Sequence, residues 1–261
     1  MSELNYEHVF NVLVDKTAEY VTSNNLKVMV LGISGGIDST VVAAICHEVS
    51  KKTGIPLIGR SLPIKNKSDE FATSVHVGEA FCNEFSVYRL ERSYRAALFD
   101  ACADAGDFDP IQDLWKTEVY GLANYLQDHY KSKALEALRN DYKETCDNYK
   151  AMSCAIYNSC KLVPTDGLGI SNSDLDQIGA KDYATVDDIL SRFIPFENFR
   201  KSYDSAGQIM HPHDEMAESD CWSQLCARHG EDVVNKVWSR HLASEFKRKK
   251  APIYISRELY E

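Results

Sequence analysis

Residues 27–39 read KVMVLGISGGIDS, and this stretch decides the fold. Lys27 to Ile33 is a short apolar run rich in β-branched side chains, the composition of a strand buried on both faces of a parallel sheet. Ser34-Gly35-Gly36-Ile37-Asp38-Ser39 follows as a polar, glycine-rich turn. From Thr40 to Val49, the residues Val41, Val42, Ala44 and Ile45 recur at helical spacing. A strand, a two-glycine turn and a helix in that order predict a backbone that approaches a phosphate closely. Glycine has no Cβ to hold the ligand off, and the first helical turn offers unpaired N–H groups at the positive end of the helix dipole. Ser34 and Ser39 add hydroxyl donors. Asp38 repels a bare phosphate, so its expected part is indirect, orienting the loop or holding Mg²⁺. No Lys follows the glycines as a Walker loop requires, and the dinucleotide fingerprint G-x-G-x-x-G is absent.

Outward from the loop, Val9, Phe10, Leu13, Val14, Ala18 and Val21 predict a helix over 6–22. A second strand is expected over 54–62, a helix over 69–85 and a third strand over 86–90. Strand and helix alternating in this way imply an α/β fold with a doubly wound parallel sheet. Beyond residue 113 the pattern turns helical, with helices expected over 113–130, over 134–160 as one long or two stacked helices, over 186–193 and over 232–246. Residues 164–179 read as loop and 196–218 carry no clear period. The simplest organisation is one domain over 1–261 with a helical C-terminal half.

A formal net charge of −10 argues against a general nucleic-acid binder, which needs a basic surface. The eight cysteines, Cys46, Cys82, Cys102, Cys146, Cys154, Cys160, Cys221 and Cys226, form no Cys-x-x-Cys pair. Reduced thiols in a cytosolic protein fit that scatter better than a disulfide framework or a zinc site. No signal peptide or membrane span is expected.

The string S-G-G-x-D-S between strand and helix resembles the PP-loop of N-type ATP pyrophosphatases, which cleave ATP to AMP and pyrophosphate. Three further stretches resemble the ammonia-dependent NAD synthetase family in particular. Gly106-Asp107 and then Pro110-Ile111-Gln112-Asp113-Leu114-Trp115-Lys116-Thr117-Glu118-Val119 is similar to the family's G-D-G…P-I-x-D-L-Y-K-T-x-V. Pro164-Thr165-Asp166-Gly167-Leu168, with Asp174, Asp176, Gly179, Tyr183 and Asp187-Asp188-Ile189-Leu190, is similar to P-[S/T]-A-x-L…D-E-x-x-L-G…Y…D-x-x-L. Lys247-Arg248 to Pro252-Ile253 looks like the terminal H-K-R-x-x-P-I.

The resemblance implies a Rossmann-like fold of the adenine nucleotide alpha hydrolase type, homodimerisation, and amidation of nicotinic acid adenine dinucleotide by ammonia, with ATP and Mg²⁺. Ser34, Gly35, Gly36, Asp38 and Ser39 would hold the pyrophosphate end of ATP, with Asp38 the magnesium ligand. Lys116 would reach ATP phosphates, unless it is a solvated lysine at a helix start. Thr165 would contact phosphate. Asp107 would hold ammonium and accept its proton, or be an ordinary turn residue. Lys247 and Arg248 would close over the dinucleotide, or form a solvated basic tail. Another carboxylate, a tRNA, or a binding function without catalysis are the alternatives.

Between the loop and Gly106 the chain carries neither the family's N-x-x-A-R-x-R-M helix nor its G-T-x-N-x-x-E motif. An additional helical stretch, about 131–162, precedes Pro164 instead. Its Arg139, Asn140, Asp141 and Glu144 are candidates to replace the lost groups. His211-Pro212-His213-Asp214-Glu215 reads as a polar loop rather than a metal site. Arg89, Arg92 and Arg95 read as a solvated face, and Tyr120, Tyr125, Tyr130, Tyr142 and Tyr149 as packing residues.

Overall fold

The computed structural model describes residues 4–63, 68–88, 108–164, 173–205, 212–243 and 253–260. Helix α1 (Tyr6–Ser23) precedes three strands, β1 (Met29–Gly32), β2 (Leu57–Ser61) and β3 (Glu84–Val87), joined by α2 (Ile37–Thr53) and α3 (Ser68–Phe81). The strands pair in parallel in the order β1-β2-β3, with Met29 opposite Leu57 and Gly59 opposite Phe85. Strands that advance in one direction with right-handed crossovers carry successive helices to one face. The core lies there: Leu13, Val41, Ala44, Ile45, Val49, Leu57, Val77 and Phe81 are all buried. Each large apolar side chain buried in this way contributes roughly 1.5–3 kcal/mol. On the other face Val30 is 68% exposed, so β1 has one covered face where the sequence suggested two.

The element boundaries shift for local reasons. α2 starts at Ile37 rather than at Thr40 because Gly36, extended at φ −68° and ψ 161°, serves as its N-cap. Asp38 and Ser39 therefore lie in the first helical turn. At its other end Gly54 takes the left-handed φ of +73° that a helix C-cap favours. β3 begins two residues before the expected Ser86. The Asn83 carboxamide accepts from the Leu57 amide (2.8 Å) and the Ser50 hydroxyl (2.9 Å), fixing where the chain re-enters the sheet.

A short parallel pair, β4 (Phe108–Asp109) with β5 (Ile253–Tyr254), joins the end of the chain to the residues just before α4 (Lys116–Arg139). α4 and α5 (Lys143–Lys161) form an antiparallel hairpin, resolving 134–160 into two helices at a turn where Asp141 adopts φ +60°. Val119, Leu122, Leu126 and Tyr130 of α4 and Met152 and Ile156 of α5 extend the core. These elements form one compact unit, residues Met1–Asn172 with Lys250–Glu261.

The second unit, Ser173–Lys249, is helical, with α6 (Asp174–Ile178), α7 (Tyr183–Ser205), α8 (Pro212–His229) and α9 (Glu231–Ala243). α7 continues well past the expected Phe193, and α8 occupies much of the stretch without clear period. Phe193 anchors this core, its ring 4.9 Å from Trp222 and 4.6 Å from Trp238, both edge-on. Asp188 accepts from Arg192 (2.7 Å), Arg228 (3.0 Å) and His229 (2.8 Å). The architecture is α/β and Rossmann-like, with a helical C-terminal half.

Candidate functional site

The turn between β1 and α2 is held by its own backbone and hydroxyls. Gly35 is buried at φ +89°, a conformation L-residues rarely adopt. A Cβ there would stand 2.6 Å from the Glu70 carbonyl oxygen and 2.9 Å from the Ser74 amide nitrogen, so α3 packs directly on this glycine. The Gly36 amide donates to Ser34 Oγ (3.2 Å), and Ser34 Oγ lies 3.0 Å from Ser39 Oγ. Ser39 Oγ donates to the Gly36 carbonyl (3.0 Å). The amides of Ile37, Asp38 and Ser39 open α2, and the first amides of an α-helix have no acceptor within it. Backbone donors, two hydroxyls and a helix N-terminus thus converge on one point, the arrangement that binds phosphate.

Asp38 is exposed and faces Lys116, the first residue of α4, whose Nζ lies 2.7 and 2.5 Å from its two carboxylate oxygens. The sequence suggested each of these residues separately; the structure brings them together across 78 positions of chain. Asp109 stands nearby. Burial pushes its carboxyl pKa up, the Ile111 amide (3.1 Å) opposes this, and Asp38 adds to the rise. Tyr120, one turn after Lys116, is raised by burial and then by Asp38. Among the described residues, the ammonium of Lys116 and the carboxylate of Asp38 meet at the loop mouth, with Asp109 and Tyr120 close enough to feel Asp38.

Lys116 is placed by Glu118, Asp113 and Arg257. Glu118 is buried, and its carboxylate accepts from the Trp115 amide (2.8 Å), capping α4. Arg257, near the end of the chain, grips the same carboxylate with both terminal nitrogens, one at 2.8 Å. Arg257 also donates its amide to Asp113 Oδ2 (3.0 Å) and its guanidinium to the Asp113 carbonyl (3.2 Å). The only sequence signal for this clamp was the position of Asp113 and Glu118 inside the P-I-x-D-L-x-K-T-E-V stretch.

Asp107, Thr165, Lys247 and Arg248 lie outside the described residues, as do Arg89, Arg92, Arg95 and His211. Arg139, Asn140, Asp141 and Glu144 fall at the α4–α5 turn. A helix rises 1.5 Å per residue, so Arg139 is roughly 35 Å from Lys116 along α4 and does not replace a group at the loop. Among the described residues no three His, Cys, Asp or Glu side chains are grouped as a metal cage.

Fold and site together define a Rossmann-like α/β protein with a glycine-rich strand–turn–helix loop whose geometry suits an anion. Residues 9–106 match the protein-family model described as NAD synthase. Over 95 residues the chain is 34% identical to the NH(3)-dependent NAD(+) synthetase of Finegoldia magna, covering 36% of this chain and 38% of that protein. Over 99 residues it is 31% identical to the NH(3)-dependent NAD(+) synthetase of Helicobacter pylori, covering 37% and 34%. The matched region is thus little more than a third of each relative. It contains the phosphate loop, and Lys116 lies beyond the end of the family match. Among solved structures, the NMN synthetase of Francisella tularensis aligns over 94% of this chain and 97% of its own, with a TM-score of 0.50 and 16% identity. That likeness extends the shared fold over nearly the whole chain. In sequence the N-terminal part is similar to ammonia-dependent NAD synthetases.

Proposed function

We propose that this chain is a carbon–nitrogen ligase that amidates nicotinic acid adenine dinucleotide with ammonia, consuming ATP and releasing AMP and pyrophosphate. The observation that carries the reading is the convergence of the S-G-G-x-D-S loop and Lys116 of the K-T-E-V stretch on one carboxylate, Asp38. In this reading the loop amides and the hydroxyls of Ser34 and Ser39 receive the β- and γ-phosphates of ATP. A carboxylate resists ammonia because its oxygen is a poor leaving group. The pyridine carboxylate of the substrate therefore attacks the α-phosphorus, the α–β bridging bond breaks, and pyrophosphate departs. Ammonia then attacks the acyl carbon, the bond to AMP breaks, and a base takes the surplus proton. Asp107 is the proposed base.

Lys116 neutralises charge that grows on the departing pyrophosphate, a task where a fixed ammonium contributes most in the transition state. Its bond to Asp38 holds it at the loop beforehand. Mg²⁺ fits this site as an ion held mainly by phosphate oxygens and water: Asp38 offers one exposed carboxylate and Asp109 is close by. Asp38 would hold the ion, which when bound would supply charge screening at the phosphates. Thr165, Lys247 and Arg248 are proposed contacts to phosphate and dinucleotide. The active form is proposed to be a cytosolic homodimer, checked by light scattering. No helix among the described residues is long and apolar enough to cross a membrane.

The test is an assay of AMP, pyrophosphate and NAD from ATP, Mg²⁺, ammonia and nicotinic acid adenine dinucleotide. Pyrophosphate without NAD would redirect the reading to another acceptor carboxylate.

A further inference from the structure

Thr40 Oγ1 and Ser159 Oγ lie 2.7 Å apart although 119 residues separate them in sequence. Both side chains are buried, at 0% and 1% exposure. Thr40 Oγ1 is also 2.9 Å from the Gly36 carbonyl oxygen, and Ser159 Oγ is 3.1 Å from that of Ala155. Three contacts share two hydroxyl protons, so two of them are hydrogen bonds at any moment. In one arrangement Ser159 donates to Thr40 and Thr40 donates to Gly36. In a second Thr40 donates to Ser159, Ser159 donates to Ala155, and Gly36 loses the hydroxyl. A third, with both hydroxyls donating to carbonyls, leaves two oxygens 2.7 Å apart with no proton between them and is disfavoured.

The Gly36 carbonyl also receives the Thr40 amide (3.1 Å) and the Ser39 hydroxyl (3.0 Å). A carbonyl oxygen has two lone pairs, and three donors exceed them. A phosphate oxygen in front of α2 gives the Ser39 hydroxyl a charged and stronger acceptor. Gly36 then keeps the amide and hydroxyl of Thr40, which is the arrangement in which Ser159 supplies the proton.

We infer that Ser159 is a positioning residue of the phosphate loop. Acting through Thr40, it holds the Gly36 carbonyl, and with it the amides of Ile37, Asp38 and Ser39, in their phosphate-facing direction while releasing the Ser39 hydroxyl to the ligand. Ser159 sits on α5, beyond the residues matched by the family model. That the ligand is ATP rests on the function proposed above.

The experiment compares wild type with Ser159→Ala, Ser159→Cys, Ser153→Ala, Thr40→Val and the Thr40→Val/Ser159→Ala double variant. Ser153 is the control, since its hydroxyl ties the same helix to the Gln127 carbonyl (3.1 Å) away from the loop. Two quantities are read: amide hydrogen exchange over residues 34–39 without ligand, and the Kd for ATP by calorimetry. Ser159→Ala is expected to speed loop exchange and weaken ATP about fivefold, the scale of one lost hydrogen bond. Ser159→Cys, with its weak S–H donor, should fall between, and should also serve if the alanine variant folds poorly. Ser153→Ala should match wild type in both, and the double variant should lose no more than Thr40→Val alone. Unchanged loop exchange in Ser159→Ala, or equal changes in Ser153→Ala, overturns the positioning role whatever ATP does. A wild type that does not bind ATP, while Ser159→Ala still loosens the loop, overturns the nucleotide reading and leaves the relay standing.

Discussion

Gly35 and Asp38 stand three positions apart and constrain the site in different ways. At Gly35 the constraint is steric, because a positive φ coincides with the backbone of α3 at 2.6 Å from any added Cβ. Gly35→Ala is expected to lose about 1–3 kcal/mol of stability, the range for a residue forced into sparsely populated backbone space. Thermal unfolding checks this. At Lys116 the constraint is electrostatic: Lys116→Met should lower pyrophosphate release on the order of 100-fold, more in kcat than in KM for ATP, as expected of a donor aimed at developing charge. A pure rise in KM would reduce Lys116 to a ground-state contact. Arg257 acts one step back from Lys116, and Arg257→Met leaves the Glu118 carboxylate, 8% exposed, without its fork. Breaking a buried pair costs about 3–5 kcal/mol, and the lower end applies here because Arg257 is 22% exposed. Urea denaturation measures the loss, and the Kd for ATP should rise with it because Lys116 loses its support.

The elements with strong local signals were legible in the sequence and the clamps between them were not. β1, the loop and α2 follow from an apolar run, two glycines and a 3.6-residue period, all carried by adjacent residues. The pair Asp38–Lys116 was readable only as two candidates, because nothing local says that α4 begins opposite α2. Glu118–Arg257 and Thr40–Ser159 were silent: serine, threonine and glutamate inside helices are ordinary unless a partner more than a hundred residues away is known. The long α7 was missed because Pro195 lies inside it, and proline normally argues for a helix end. In the same helix Asp188 gives a pH test. Burial pushes its carboxyl up, but hydrogen bonds from His229, Arg192 and Arg228 outweigh that and hold it at about 2. A depressed carboxyl stabilises the fold fully above its unfolded value of about 3.9, and the contribution disappears as pH falls toward the folded value. Circular dichroism should show Asp188→Asn less stable at pH 7 by on the order of 1 kcal/mol, reduced by solvent screening of the half-exposed Arg192 and Arg228, with the difference from wild type fading as pH falls through about 2. A constant difference across that window would assign Asp188 a purely steric part.

Across the whole chain, the proposed phosphate site is assembled from distant segments: the β1–α2 turn, the start of α4, the end of α5 and the 3₁₀ turn at Arg257–Leu259. That pattern suits an enzyme whose main tasks are to hold ATP and substrate side by side and to neutralise a departing pyrophosphate, since orientation alone can supply several kcal/mol of a barrier. The sequence match to NAD synthase, residues 9–106, contains the loop, whereas Lys116 and the α4–α5 hairpin lie beyond it. The decisive measurement is ammonia-dependent formation of NAD, AMP and pyrophosphate from ATP, Mg²⁺ and nicotinic acid adenine dinucleotide, run beside Asp38→Ala. Equal amounts of the three products from wild type, and none from Asp38→Ala, are expected. Wild-type protein that binds ATP but releases neither AMP nor pyrophosphate with this substrate would contradict the proposed ligase.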